Sequence, residues 1–101
     1  MREAVIVDAI RSPIGRGKPI KGDLSGVHPV ILLSKLLDSL VQRNGLKHED
    51  IEQVIAGCVT QAGEQSNNLA RNAWLWLGKT WKTGATTVDS QCGSAQQANH
   101  M

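Results

Sequence analysis

The chain has 101 residues and a formal net charge of +2, from eleven Lys and Arg against nine Asp and Glu. That length holds one small domain, and so small a charge gives no ground for nucleic-acid binding. A hydrophobic fraction of 41% with 20% charged residues argues against disorder, and the apolar mass is aliphatic, because there are three tryptophans but no phenylalanine or tyrosine.

Taken in chain order, Ala4-Val5-Ile6-Val7-Asp8-Ala9-Ile10 reads as a buried strand, short, β-branched and nearly continuously apolar. Arg11-Ser12-Pro13-Ile14-Gly15 stops it, and a glycine- and proline-bearing loop runs on to Gly26. The local cationic excess there (Arg11, Arg16, Lys18, Lys21) reads as a solvated loop. His28-Pro29 opens a helix with proline in the first turn, where its missing N–H matters least. Leu32, Leu33, Leu36, Leu37, Leu40 and Val41 form its apolar stripe, and Gly45 is the stop.

A short acidic turn (His48-Glu49-Asp50) precedes a second strand, Gln53 to Val59. Asn67 or Asn68 caps the next helix, Leu69 to Leu77, whose buried face is expected to hold Leu69, Ala73, Trp76 and Leu77. Ala85 to Asp89 is a third strand, and a third helix begins near Cys92. The order β-α-β-α-β-α predicts an α/β layered sheet. The last helix has about two turns and no C-cap before Met101, so the expectation is a chain truncated within it.

Two cysteines, Cys58 and Cys92, make no disulfide framework and stand in no metal-ligand spacing, so no metal is expected. The N-terminus enters an apolar segment at once, leaving no room for a signal peptide, and no apolar run nears the ~20 residues of a bilayer span. The expected setting is reducing and cytoplasmic, away from membranes. Gly15-Arg16-Gly17 fails as a dinucleotide loop, since Ile20 occupies the sixth position and Pro19 stands where the helix should start.

Cys92 follows the third strand by three residues, at the start of a helix. Helix N-termini favour thiolate over thiol, and a sharp strand-to-helix turn exposes a side chain while leaving its own N–H as a possible oxyanion donor. Gly93 and Ser94 keep the turn small. Cys58, on an apolar strand, reads as an inert thiol. His100, eight positions on, lies about 12 Å along the helix and is a poor base for Cys92. His28 and His48 are assigned no role, and Trp74, Trp76 and Trp81 read as packing residues.

Asp89-Ser90-Gln91-Cys92-Gly93-Ser94-Ala95-Gln96-Gln97-Ala98 resembles the nucleophile segment of the thiolases, Q/R-C-x-S-G-x-Q-A. Ile10-Arg11-Ser12-Pro13-Ile14-Gly15, Gly57 to Gln65 and Asn68-Leu69-Ala70-Arg71 are similar to the family's first-strand ending, second strand and following helix. The departure is Ala95, where the family usually has glycine. The resemblance implies a partial thiolase-like layered αβαβα fold over 1–101, the first part of an N-terminal half-domain.

It implies an acyl-CoA C-acyltransferase in which Cys92 carries the acyl group as a thioester. The outcome is cleavage of a 3-ketoacyl-CoA by CoA or Claisen condensation of acetyl-CoA. Coenzyme A is substrate or product and no cofactor is implied; the partners are acyl-CoA and CoA, with no nucleic acid or membrane, in a full-length homo-oligomer. The family's histidine and second cysteine come from later segments that this sequence lacks, so the chain alone is expected to be inactive. Two alternatives stand beside this reading: a β-ketoacyl synthase-like condensing enzyme, and a non-catalytic truncated α/β module.

Overall fold

The computed structural model describes residues 2–101. Helix α1 spans Pro29–Arg43 and starts as the sequence predicts: Pro29 takes the first position, and His28 Nδ1 accepts from Val30 N–H at 3.2 Å. It ends where Gly45 adopts φ +64°, so that Gly45 N–H reaches Gln42 O and Leu46 N–H reaches Val41 O. That pair of bonds satisfies carbonyls the helix would otherwise leave open.

Strand β1 (Gln53–Gly57) and strand β2 (Gly84–Val88) pair in parallel, Gln53 opposite Gly84 and Gly57 opposite Val88. β1 is shorter than expected, although Cys58 N–H still donates to Val88 O at 2.9 Å, and β2 keeps its expected length but starts one residue earlier. Between them lies α2 (Leu69–Trp76), and after β2 comes α3 (Ser94–His100). Alternation along β1 sends Val54 and Ala56 to one face, where Val54 joins Val41, Ala70 and Trp74 in the buried core and Ala56 packs against it. Gly57, on the opposite face, meets α3.

Asn68 ties α2 to the sheet. Its Oδ1 accepts from Arg71 N–H (3.3 Å) and from the Thr87 hydroxyl (2.7 Å), and its Nδ2 donates to Ala85 O (3.0 Å). Thr87 Oγ1 in turn accepts from Ala70 N–H at 2.9 Å, and the Arg71 guanidinium donates to Thr83 O and Trp81 O. Two orphan amides of the first turn are thereby satisfied by β2 and the cap.

Two expectations are corrected. The segment 4–10 is not a strand: Asp8 is held by Asn44 Nδ2 (3.0 Å) and the Arg43 guanidinium (3.3 Å) at the C-terminal end of α1, away from any ladder. A strand exists by pairing, and without it Val5, Ile6 and Val7 are 74–84% exposed. The observed order is therefore α-β-α-β-α on a two-stranded sheet, a smaller α/β unit than the six elements expected. On α2 the buried residues are Leu69, Ala70, Ala73 and Trp74, while Trp76 is exposed, as is Trp81. Trp76 lies about a quarter of a turn from the centre of the face that Leu69, Ala70, Ala73 and Trp74 share, so only Trp74 packs in the core.

Candidate active site

The turn between β2 and α3 is closed by hydrogen bonds of its own. Gln91 sits at φ +54°, a left-handed conformation that glutamine adopts only under constraint. Gln91 N–H donates to Asp89 Oδ1 (2.9 Å), Gly93 N–H to Ser90 O (3.0 Å) and Ser94 N–H to Gln91 O (3.1 Å). The buried Ser94 hydroxyl accepts from Ser90 N–H at 2.8 Å and donates to Gln91 O at 2.7 Å.

Cys92 rides on this elbow, exposed, as predicted. The helix starts later than expected: Gly93 is the N-cap and Ser94 the first helical residue, so Cys92 stands just before α3 and not at its cap. The flanking amides are used within the turn, whereas among the described residues Cys92 N–H has no acceptor. An exposed thiol beside a free amide is an arrangement in which a carbonyl attacked by sulfur could rest its oxygen on that N–H.

No histidine is bonded to Cys92 among the described residues. His28 caps α1, and His48 pairs with Asp38 (2.8 Å) and packs its ring 5.6 Å from that of Trp74. His100 lies at the far end of α3. Cys58 is half-buried, its Sγ 3.6 Å from Thr60 O. Arg11, Arg16, Lys18 and Lys21 are exposed, and Asp23 closes their loop onto Arg16 N–H (2.7 Å), which fits the reading of a solvated turn.

A concavity of about 930 Å³ lies elsewhere and does not contain Cys92. It runs along β1 between α1 and α3, walled by Leu32, Leu33, Leu36, Ile55, Ala98 and Cys58 among others. Ala95 is exposed and lines this concavity. Among the described residues no helix is long and apolar enough to cross a membrane, and no His, Cys, Asp and Glu cluster could hold a metal.

Two residues of this site were not singled out by sequence. The sequence marks Ser94 only as a small residue, and its hydroxyl bonds three and four residues back emerge only from the folded turn. Gly57 was read as part of a motif. A Cβ there would sit 2.5 Å from Ala95 N and 2.6 Å from Ser94 O, so glycine is what lets the start of α3 lie on β1.

Residues 4–101 match the family described as thiolase, N-terminal domain. The chain is 46% identical to a 3-ketoacyl-CoA thiolase of Colwellia psychrerythraea, across all of its own length and 26% of that protein's. It is 41% identical to a steroid 3-ketoacyl-CoA thiolase of Mycobacterium tuberculosis, across 97% of the chain and 23% of that protein. The fold is similar to the crystal structure of the Bacillus anthracis acetyl-CoA acetyltransferase, with a TM-score of 0.66 and 32% identity, over 75% of this chain and 19% of that one. The chain spans about a quarter of the length of the curated relatives it matches. With nearly the whole chain, residues 4–101, matched by the family's N-terminal domain and a neighbour's fold shared at 32% identity, the chain belongs to the thiolase family.

Proposed function

We propose that this chain is the nucleophile-bearing N-terminal quarter of an acyl-CoA C-acyltransferase, with Cys92 as the acyl acceptor. In the degradative direction the Cys92 thiolate adds to the 3-keto carbonyl of a 3-ketoacyl-CoA. The C2–C3 bond breaks, acetyl-CoA leaves after its carbanion takes a proton, and the acyl group stays on sulfur. CoA thiolate then displaces Cys92 and carries the acyl group away; Claisen condensation of acetyl-CoA is the reverse sense. The Cys92 N–H is the proposed oxyanion donor.

The observation that carries the reading is the exposure of Cys92 on a constrained elbow, inside a segment that resembles the family's nucleophile segment. Acyl-CoA and CoA as ligands, a homo-oligomeric full-length enzyme and a cytoplasmic location belong to the same proposal. For the 101 residues alone a second reading is favoured by the site itself: with no base bonded to Cys92, the isolated chain is a non-catalytic α/β unit.

A chimaera tests the proposal. The matching quarter of the Colwellia psychrerythraea protein is replaced by this chain, and thiolysis of acetoacetyl-CoA is measured with and without Cys92→Ala. Activity that disappears with Cys92→Ala, by about a thousandfold or more, supports the assignment. A folded chimaera whose activity survives that substitution would sink it.

A further inference from the structure

We infer that Ser94 is a positioning residue for Cys92: its buried hydroxyl, together with the Asp89 carboxylate, clamps the Gln91 peptide in the left-handed conformation that presents the thiol. This rests on the reading of Cys92 as the nucleophile. Every backbone polar group of Ser90 and Gln91 is bonded within the turn. Ser90 N–H goes to Ser94 Oγ, Ser90 O receives Gly93 N–H, and Gln91 N–H goes to Asp89 Oδ1. Gln91 O receives both the amide and the hydroxyl of Ser94. Asp89 Oδ1 also lies 3.5 Å from Ser94 Oγ, which links the two halves of the clamp.

A non-glycine residue at φ +54° persists only where its surroundings over-determine it. Here the over-determination runs through the hydroxyl of Ser94, a residue only 4% exposed at the first helical position of α3, while Cys92 itself makes no side-chain bond among the described residues. The hydrogen bonds of the Ser94 hydroxyl go to Ser90, Gln91 and Asp89, and none joins it to the Cys92 sulfur. Its action on Cys92 passes through the peptide of Gln91, which is why a hydroxyl is required at 94 and a side chain other than glycine at 91 makes that requirement strict.

The test is a double-variant cycle on the 101-residue chain. The sign of φ at Gln91 is read by NMR from the one-bond Cα–Hα coupling, and Cys92 alkylation by iodoacetamide is measured against Cys58. Ser94→Ala is expected to remove the positive φ and to slow Cys92 about fivefold, the scale of left-handed strain at a non-glycine residue. Adding Gln91→Gly, which adopts positive φ freely, is expected to restore the Cys92 rate and the Cys92 and Gly93 amide resonances; a general packing defect would not respond. Asp89→Ala, at an exposed position, gives the same shift in smaller measure if Ser94→Ala does not fold. A positive φ retained in both single variants, with the Cys92 rate unchanged, overturns the clamp. Equal labelling of Cys92 and Cys58 in the folded parent chain counts instead against the nucleophile.

Discussion

Ser94 lies against Gly57 so closely that a methyl group on Gly57 would stand 2.6 Å from the Ser94 carbonyl oxygen. The atom it meets is backbone, which cannot swing aside as a flexible side chain would. Gly57→Ala is therefore expected to destabilise the fold by about 1–3 kcal/mol or more, as overpacking does. Gly26→Ala, where an added Cβ meets nothing within 4 Å, should stay within about 0.5 kcal/mol. Urea midpoints of the two variants decide it; equal midpoints would mean that α3 does not rest on β1.

Asn68→Ala removes an N-cap and two bonds to β2 at once. The expected loss is about 1–3 kcal/mol, more than an isolated cap gives. Hydrogen exchange should also quicken at Ala70, whose N–H partner Thr87 then loses its own anchor. Faster exchange confined to the first turn, with β2 unchanged, would show that the cap is local.

The Asp8 carboxyl is held below its ordinary value of 3.8, chiefly by the Asn44 side-chain bond and then by Ala9 N–H, with burial opposing them and the Arg43 charge adding least. A carboxylate whose pKa is lower folded than unfolded lends its stabilisation above the ordinary value and loses it as pH falls through the lowered one. The prediction is that the 4–10 segment lets go of α1 below the normal carboxylate range while the core stays folded. An NMR titration of Asp8 checks it, and Asn44→Ala should raise its midpoint more than Arg43→Ala does. The reverse ranking would contradict the assignment.

The exposed Val5-Ile6-Val7 segment and the second edge of β1, unpaired among the described residues, predict self-association of the isolated chain. Sedimentation velocity should show mass rising with concentration, and Ile6→Lys should suppress it. A concentration-independent monomer with a sharp melt would refute this.

Alone, the chain is expected to show no thiolysis of acetoacetyl-CoA at saturating CoA, because no base is bonded to Cys92. Turnover near that of a full-length relative would overturn that expectation.

Local signals in the sequence carried far. Pro29 and Gly45 bound α1 because proline and glycine act on their own dihedrals, and Asn68 caps α2 because its side chain reaches an amide three residues on. The elbow at Cys92 was legible as a strand-to-helix turn. What was not legible depends on distant partners. The apolar pattern of 4–10 says that the segment suits a sheet, but not whether an edge is reached. The tie of Asp8 to Asn44, 36 residues away, leaves no local trace. The apolar stripe Leu69, Ala73, Leu77 lies nearer to Trp76 than to Trp74, which stands about 200° from Trp76 around the helix, and only the core contacts of Ala70 turn the buried face toward Trp74. The Ser94 clamp needed the turn's dihedrals, which composition does not give.

The parallel register of β1 and β2 has a kinetic consequence. Each rung of that ladder joins residues separated by all of α2 and both its loops, so no rung can form as a local hairpin would. Contacts of such sequence separation must bear the entropy of closing the intervening loop before any pairing energy is returned. Asn68, which bonds the first turn of α2 and the middle of β2 together, shortens that closure once the helix exists. The expectation is that α2 forms before the sheet closes and that Asn68→Ala slows folding more than it speeds unfolding, which stopped-flow folding and unfolding rates would check.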